Sequence, residues 1–194
     1  MEIKILIIGW FLGIVSTLGT TWLQAYLTRK QIKGTKEFET AYNLHYTVLK
    51  LRDAIKHVRN PAIWPSEDYK AIQYFKAKYP ERSEDIDSKS HSYVYEMRWE
   101  EITTSFTEIE SHLLSAEVLW GKDILDLIKP LDKKVGELNI GLKQYFQPEF
   151  RTKDYIELHN IIYNQGSEND DDNFSQEVNK IIENIGSYLK PKIG

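Results

Sequence analysis

No cysteine occurs in the 194 residues. That absence removes disulfide staples and thiol nucleophiles, and it agrees with a reducing compartment. No serine sits in a Gly-x-Ser-x-Gly turn, no glycine-rich stretch has phosphate-cradling spacing, and neither His-Glu-x-x-His nor Glu-x-x-His appears. Glu108 and His112 share a helical face, but without a partner motif they read as a solvated surface. The run Asp170-Asp171-Asp172 lacks the alternating oxygen ligands, the glycine and the closing glutamate of a calcium loop. It reads as an exposed acidic loop that also caps the last helix. These absences leave no motif for an enzyme and predict no metal and no cofactor.

Two other features are missing. No stretch alternates apolar and polar residues between turn signals, so no strand is expected, and no repeat of solenoid type is evident. Charge of one sign is also lacking: 25 Lys plus Arg stand against 29 Asp plus Glu, a net charge of −4, and the same balance holds after Thr28. Overall charge therefore argues against non-specific nucleic-acid binding, although a local basic face is still compatible with it.

What is present starts with Ile5 to Thr28, which contains no Asp, Glu, Lys, Arg or His. At 1.5 Å per residue this stretch reaches about 36 Å as a helix, enough for a hydrocarbon core of about 30 Å. It reads as a transmembrane helix over residues 1–28, followed by a connector, 29–37. As a secretory signal its apolar region is too long, and its only cleavage pattern, Leu23-Gln24-Ala25, is weak. Lys4 alone precedes the span, while Arg29, Lys30, Lys33 and Lys36 follow it. The positive-inside rule then places the C-terminal domain in the cytoplasm of a single-pass cell-membrane protein. Trp22 and Tyr26 suit an interfacial belt on that side. The sequon Asn173-Phe174-Ser175 would matter only in a lumenal domain and is discounted.

Within the span, Gly9, Gly13, Thr17, Thr20 and Gln24 recur at three to four residues and form one small or polar stripe. Small residues let membrane helices approach closely and hydroxyls can bond across the interface, so a homo-oligomer is expected. The same residues would also suit a water-lined pore.

Residues 38–190 read as an all-α, up-and-down bundle of four principal helices plus one or two short ones. Ala41, Leu44, Val48, Leu51, Ile55 and Val58 form a heptad seam, with Phe38, Tyr42 and Leu49 as a second buried stripe. Gly34 is the only weak point between this helix and the span, so the two are expected to be nearly continuous. Asn60-Pro61 and Trp64-Pro65 end it. Ser66 is the expected cap of a short helix through Tyr69, Ile72, Phe75 and Tyr79, which Pro80 stops. Residues 81–92 read as a loop.

The seven-residue repeat Tyr95, Trp99, Ile102, Phe106, Ile109, Leu113, Ala116 and Trp120 predicts a long packed helix. Gly121 breaks it. Ile124, Ile128, Leu131, Val135, Leu138, Leu142 and Tyr145 predict a second arm folded back on it, with a kink or restart at Pro130 and close packing at Gly136 and Gly141. Thr152 is the expected cap of a short helix using Tyr155, Leu158, Ile161 and Ile162; 165–173 reads as a loop. A last helix uses Phe174, Val178, Ile181, Ile185 and Tyr188 and ends before Pro191.

One region mixes cations with aromatics: Lys50, Arg52, Lys56, His57 and Arg59, then Lys70, Lys76, Lys78 and Arg82 among Tyr69, Tyr74 and Tyr79. Such a mixture can hold an anion, a nucleotide or single-stranded nucleic acid, and it is equally the outside of a bundle. As a site, it points first to Arg52, Lys56 and Arg59, spaced to share a face.

With its membrane span, juxtamembrane Arg29-Lys30-Gln31 and heptad helices ending in Trp120-Gly121, the chain resembles uncharacterised bacterial single-pass membrane proteins, some of which are membrane effectors in anti-phage defence. The resemblance is one of architecture and carries over no site residues. The expected function is that of a non-enzymatic, self-associating membrane protein whose helical domain senses a ligand or protein partner and controls the membrane segment, in one form to disrupt the membrane. The alternatives are a static membrane-tethered adaptor and a nucleic-acid or nucleotide sensor using residues 50–82.

Overall fold

The computed structural model describes residues 2–82, 90–164 and 172–193, excepting the side chains of residues 2–15, 82, 90 and 148. Among the described residues there are six α-helices and no strand: α1 Glu2–Val58, α2 Pro65–Lys78, α3 Ser90–Trp120, α4 Asp123–Phe146, α5 Tyr155–Ile162 and α6 Asn173–Ile193. Single 3-10 turns, Pro80–Arg82 and Pro148–Phe150, follow α2 and α4. The all-α class is that expected.

Four helices make the core. α1 packs on α3 and α6, and α4 packs on the same two, so the contacts close into a ring. Cross-contacts show that neighbours run in opposite directions. Lys50 meets Glu108 and His57 meets Glu101, pairing later α1 with earlier α3. Tyr95 meets Phe146 across α3 and α4. Lys134 pairs with Glu177, while α3's last residue, Trp120, meets Tyr188 late in α6. His45 lies against Gly186, and Arg59 lies over Phe174. The result is an up-down-up-down four-helix bundle.

The apolar spacing explains the packing. All six seam residues of α1 are buried, as are Tyr95, Ile102, Ile109 and Ala116 of α3 and Ile124, Ile128, Leu131, Val135, Leu138 and Leu142 of α4. Each large aliphatic side chain so buried contributes about 1.5–3 kcal/mol by removal from water. Gly121 ends α3 with φ +77°, a left-handed conformation that glycine adopts without strain, and its N–H closes on the Glu117 carbonyl at 2.8 Å.

Several local expectations differ. Phe38 and Tyr42 are exposed and Leu49 is half-buried, because the core face of α1 widens on the other side of the seam, where Thr47 and Ala54 are buried. Trp64 rather than Ser66 is the N-cap of α2, with Pro65 in the first turn, where its missing N–H has no intrahelical partner to lose. In that helix Ala71 and Phe75 are buried, whereas Tyr69 is exposed. Asp154, not Thr152, caps α5 by accepting from Glu157 N at 2.7 Å; the Thr152 hydroxyl instead accepts from Gln144 Nε2 at 2.8 Å. α4 runs through Pro130 without interruption, and α6 continues past Pro191 to Ile193. The buried stripe of α6 is Phe174, Val178, Ile182, Ile185 and Leu189, leaving Ile181 and Tyr188 at its margin. Gly141 is a close packing point, since a Cβ there would come within 2.9 Å of Ile161 Cγ2; Gly136 has open space instead.

α1 is continuous through Gly34 and the connector 29–37. Its 57 residues make a rod of about 85 Å. Every described side chain from Ser16 to Lys36 is exposed. Among the described residues no helix is long and apolar enough to cross a membrane. The most apolar part of the expected span, Ile5–Val15, lies outside the described side chains, as do Gly9 and Gly13. Of the expected loops 81–92 and 165–173, residues 83–89 and 165–171 also lie outside the described residues; Glu81 and Arg82 belong instead to a 3-10 turn, Ser90 to Ser92 open α3, and Asn173 opens α6.

Candidate functional site

The polar chemistry of the molecule concentrates where α1 ends. Two arginines are interred there, each with a side chain only 1 % exposed. Arg59 continues the seam of α1, and its guanidinium is fully engaged. Nε donates to the Ile161 carbonyl at 2.8 Å, and Nη2 to the carbonyls of Asn160 at 2.9 Å and Tyr163 at 2.8 Å. Nη1 and Nη2 also hold the Asp172 carboxylate at 3.1 and 2.9 Å, and Nη1 donates to Ser175 Oγ at 2.6 Å. The cation thus sits on the orphan carbonyls at the C-terminus of α5, where the helix dipole favours it. Asp172 in turn accepts from Ser175 N at 2.8 Å, capping α6 as the sequence suggested.

Arg98 is the counterpart on α3. Nε and Nη2 make a bidentate pair with Glu67 at 2.6 and 2.8 Å, while Nη1 and Nη2 donate to the Asn60 and Ala62 carbonyls, both at 2.6 Å. It therefore pins the α1–α2 connection and the first turn of α2 to α3. The Arg98 hydrogen bond holds the Glu67 carboxyl below its ordinary range, against the opposing effect of burial. His57 extends the network, 3.4 Å from Glu67 and 2.9 Å from Glu101.

The three residues of the expected anion site line one small pocket but differ in what they bind. Arg59 faces inward and spends its donors on the fold. Arg52 bonds Asp53 at 2.9 Å, and Lys56 is exposed. The space between these three residues is only about 10 Å³. Elsewhere in the basic region Lys50 is paired with Glu108, and Lys78 with Glu100 at 3.1 Å, so its positive charge is largely matched. In the expected association stripe, Thr20 Oγ1 donates to the Ser16 and Thr17 carbonyls at 3.0 and 2.9 Å, returning the hydroxyl to its own helix; Thr17 and Gln24 are exposed.

Beside Arg98 opens a cleft of about 350 Å³, a size within the range of small-molecule sites. Tyr95 of α3, Tyr145 and Phe146 of α4 and Tyr163 just after α5 line it, with Pro61 and Ile63 from the α1–α2 connection and His91 beside them. The rings meet steeply: Tyr145 and Tyr163 are 5.6 Å apart at 87°, and Tyr95 and Tyr163 6.2 Å apart at 69°. Tyr145 and Tyr155 share a hydroxyl–hydroxyl hydrogen bond of 3.0 Å. Burial pushes the Tyr163 phenol up to about 12 and raises Tyr95 as well, so both remain neutral donors at physiological pH.

A cleft of about 530 Å³ lies between α1 and α3, beside the paired Lys50. Another, about 450 Å³ between α4, α5 and α6, has several carboxylates, but Lys134 already occupies their charge. It pairs with Glu137 at 2.8 Å and with Glu177, and lies 5.1 Å from the centre of the Phe174 ring. Among the described residues no cluster of three or more His, Asp or Glu could hold a metal ion.

Sequence reasoning passed over Arg98 and the tyrosine cleft. The signal for Arg98 was its position between Tyr95 and Ile102, three and four residues away, on the buried seam. The cleft had no such signal, since it joins residues from four separate segments. Comparison with family models, with curated proteins and with solved structures finds no match for the chain.

Proposed function

We propose that the chain is a non-enzymatic, self-associating single-pass membrane protein whose helical bundle lies in the cytoplasm, senses a ligand or protein partner and controls the membrane segment. The observation that carries this reading is the double character of α1. From Ala41 to Val58 it is a stave of the core, while from Ser16 to Lys36 nothing among the described residues covers it, although Leu18, Trp22, Leu23, Tyr26 and Leu27 are exposed there. Lipid and a second copy of the chain are the surroundings that suit such a segment, continued upstream by the apolar run from Ile5. Because no break separates the two parts, a shift or rotation of α1 in the bundle is carried along the rod. Membrane disruption on such a signal is the form that the architectural resemblance suggests.

A second reading, the static tethered adaptor, draws on the exposed stack Phe38–Tyr42–Tyr46 along the outside of α1. The nucleic-acid reading loses ground because Lys50, Arg52 and Lys78 are paired and Arg59 is interred.

The test is carbonate extraction of the full-length protein from membranes, with native mass spectrometry in mild detergent beside a fragment beginning at Lys36. A pelleted, oligomeric full chain and a soluble, monomeric fragment are expected. Release of the full chain by carbonate would sink the membrane reading. A membrane-bound monomer would favour the adaptor.

A further inference from the structure

We infer that the tyrosine cleft binds a neutral, flat heteroaromatic molecule of about nucleoside size. Deepening the sensor reading, this names the class of ligand sensed; the binding itself is independent of whether α1 spans a membrane.

Three features select the ligand. The aromatic rings of the wall are packed on one another at inclinations of 45 to 87°, so a flat ring laid against them in the cleft meets both ring faces and ring edges, as stacked and T-shaped pairs require. No carboxylate lines the cleft, and the Arg98 guanidinium already lies 5.4 Å from the centre of the Tyr95 ring. A cationic ligand would therefore find part of the ring surface in use and a like charge behind it, unlike the open aromatic cages that hold ammonium groups. An anion fares no better: Arg98 devotes four of its N–H groups to Glu67 and two carbonyls and is buried, and no other Lys or Arg lines the cleft. What remains is a neutral ring system: the phenols of Tyr95, Tyr145 and Tyr163 are hydrogen-bonded to one another, and each oxygen keeps acceptor capacity for an N–H at the ligand's polar edge.

The location gives binding a consequence. Pro61 and Ile63 line the cleft, and the carbonyls of Asn60 and Ala62 between and beside them are those held by Arg98. A ligand in the cleft therefore presses on the segment that terminates α1.

The experiment is saturation-transfer NMR and calorimetry on the full-length protein in detergent, with adenosine as the neutral heteroaromatic probe and choline and inorganic phosphate as charged controls. Saturable adenosine binding is expected, with neither control competing. Tyr145→Ala should weaken it by about tenfold, the scale of one lost stacking partner. Because that change could disturb packing, His91→Trp serves as the second variant: His91 is exposed at the cleft, and a larger ring there should obstruct binding while leaving the melting temperature unchanged. Absence of saturable adenosine binding up to about 10 mM, equal binding of choline, or binding indifferent to both substitutions would overturn the inference. Adenosine binding by a protein that carbonate strips from membranes would overturn only the membrane reading.

Discussion

The two ends of the bundle are built on different physics. At the distal end, where α1 stops, Arg59 and Arg98 fasten five backbone carbonyls and two carboxylates from separate segments. At the stalk end, where α1 enters, contacts are of another kind: Gly186 makes room for His45, and Trp120 meets Tyr188 under the Lys192 ammonium. Helix pairing alone suffices where long helices run side by side. Short helices and connections lack the apolar area to hold themselves, and buried charge-assisted hydrogen bonds supply what is missing.

Removing one arginine is the strongest way to break this comparison. Arg98→Ala leaves Glu67 without its partner and should destabilise the protein by about 3–5 kcal/mol in urea unfolding. Replacing Glu67 as well, as Arg98→Met with Glu67→Leu, should recover part of that loss, since no buried charge is then left unpaired.

A smaller effect is expected where α5 touches α4. Gly141→Ala drives a methyl against Ile161 and should cost about 1–3 kcal/mol, whereas Gly136→Ala, with open space around it, should stabilise α4 by about 0.5–1 kcal/mol. Equal thermal shifts for the two variants would mean that α5 is not packed at Gly141.

Acid should separate the two ends. Burial, then the nearby Lys190 charge, holds His45 below the ordinary histidine value. Its folded form therefore resists protonation, and stability present above about pH 6.5 is lost as pH falls through the lowered value. Glu67, lowered chiefly by Arg98, keeps its contribution above the ordinary carboxylate range and loses it only as pH falls through its own depressed value. Hydrogen exchange should accordingly show the α1–α6 contact around His45 loosening at a higher pH than the α2–α3 contact around Glu67. Simultaneous loss of protection would erase the distinction.

The smallest change is expected midway between the ends. Lys50 and Glu108 are each about two-fifths exposed, so Lys50→Ala should leave the melting temperature almost unchanged.

Periodicity made the bundle legible: a side chain's place on a helix face follows from 3.6 residues per turn, so the seams of α1, α3 and α4 could be read before any contact was known. Gly121 and the prolines after Asn60 and Trp64 likewise marked where backbone geometry forces an end. Caps were harder, because Ser66 and Thr152 are able caps by residue type, yet α2 starts at Trp64, which makes no side-chain cap, with Pro65 in its first turn, and α5 is capped by Asp154.

Arg59 shows the limit most clearly. From spacing it shares a surface with Arg52 and Lys56; in the fold it turns inward, because α5 and α6 bring carbonyls and Asp172 to it across more than a hundred residues of chain. The tyrosine cleft has the same origin. The sequence by itself determined the helices, their apolar faces and the apolar run that precedes them, since these are local consequences of residue order. Only the tertiary structure decided which cations are spent inside, which rings converge and which aromatics stay uncovered, because those outcomes depend on which distant segments meet.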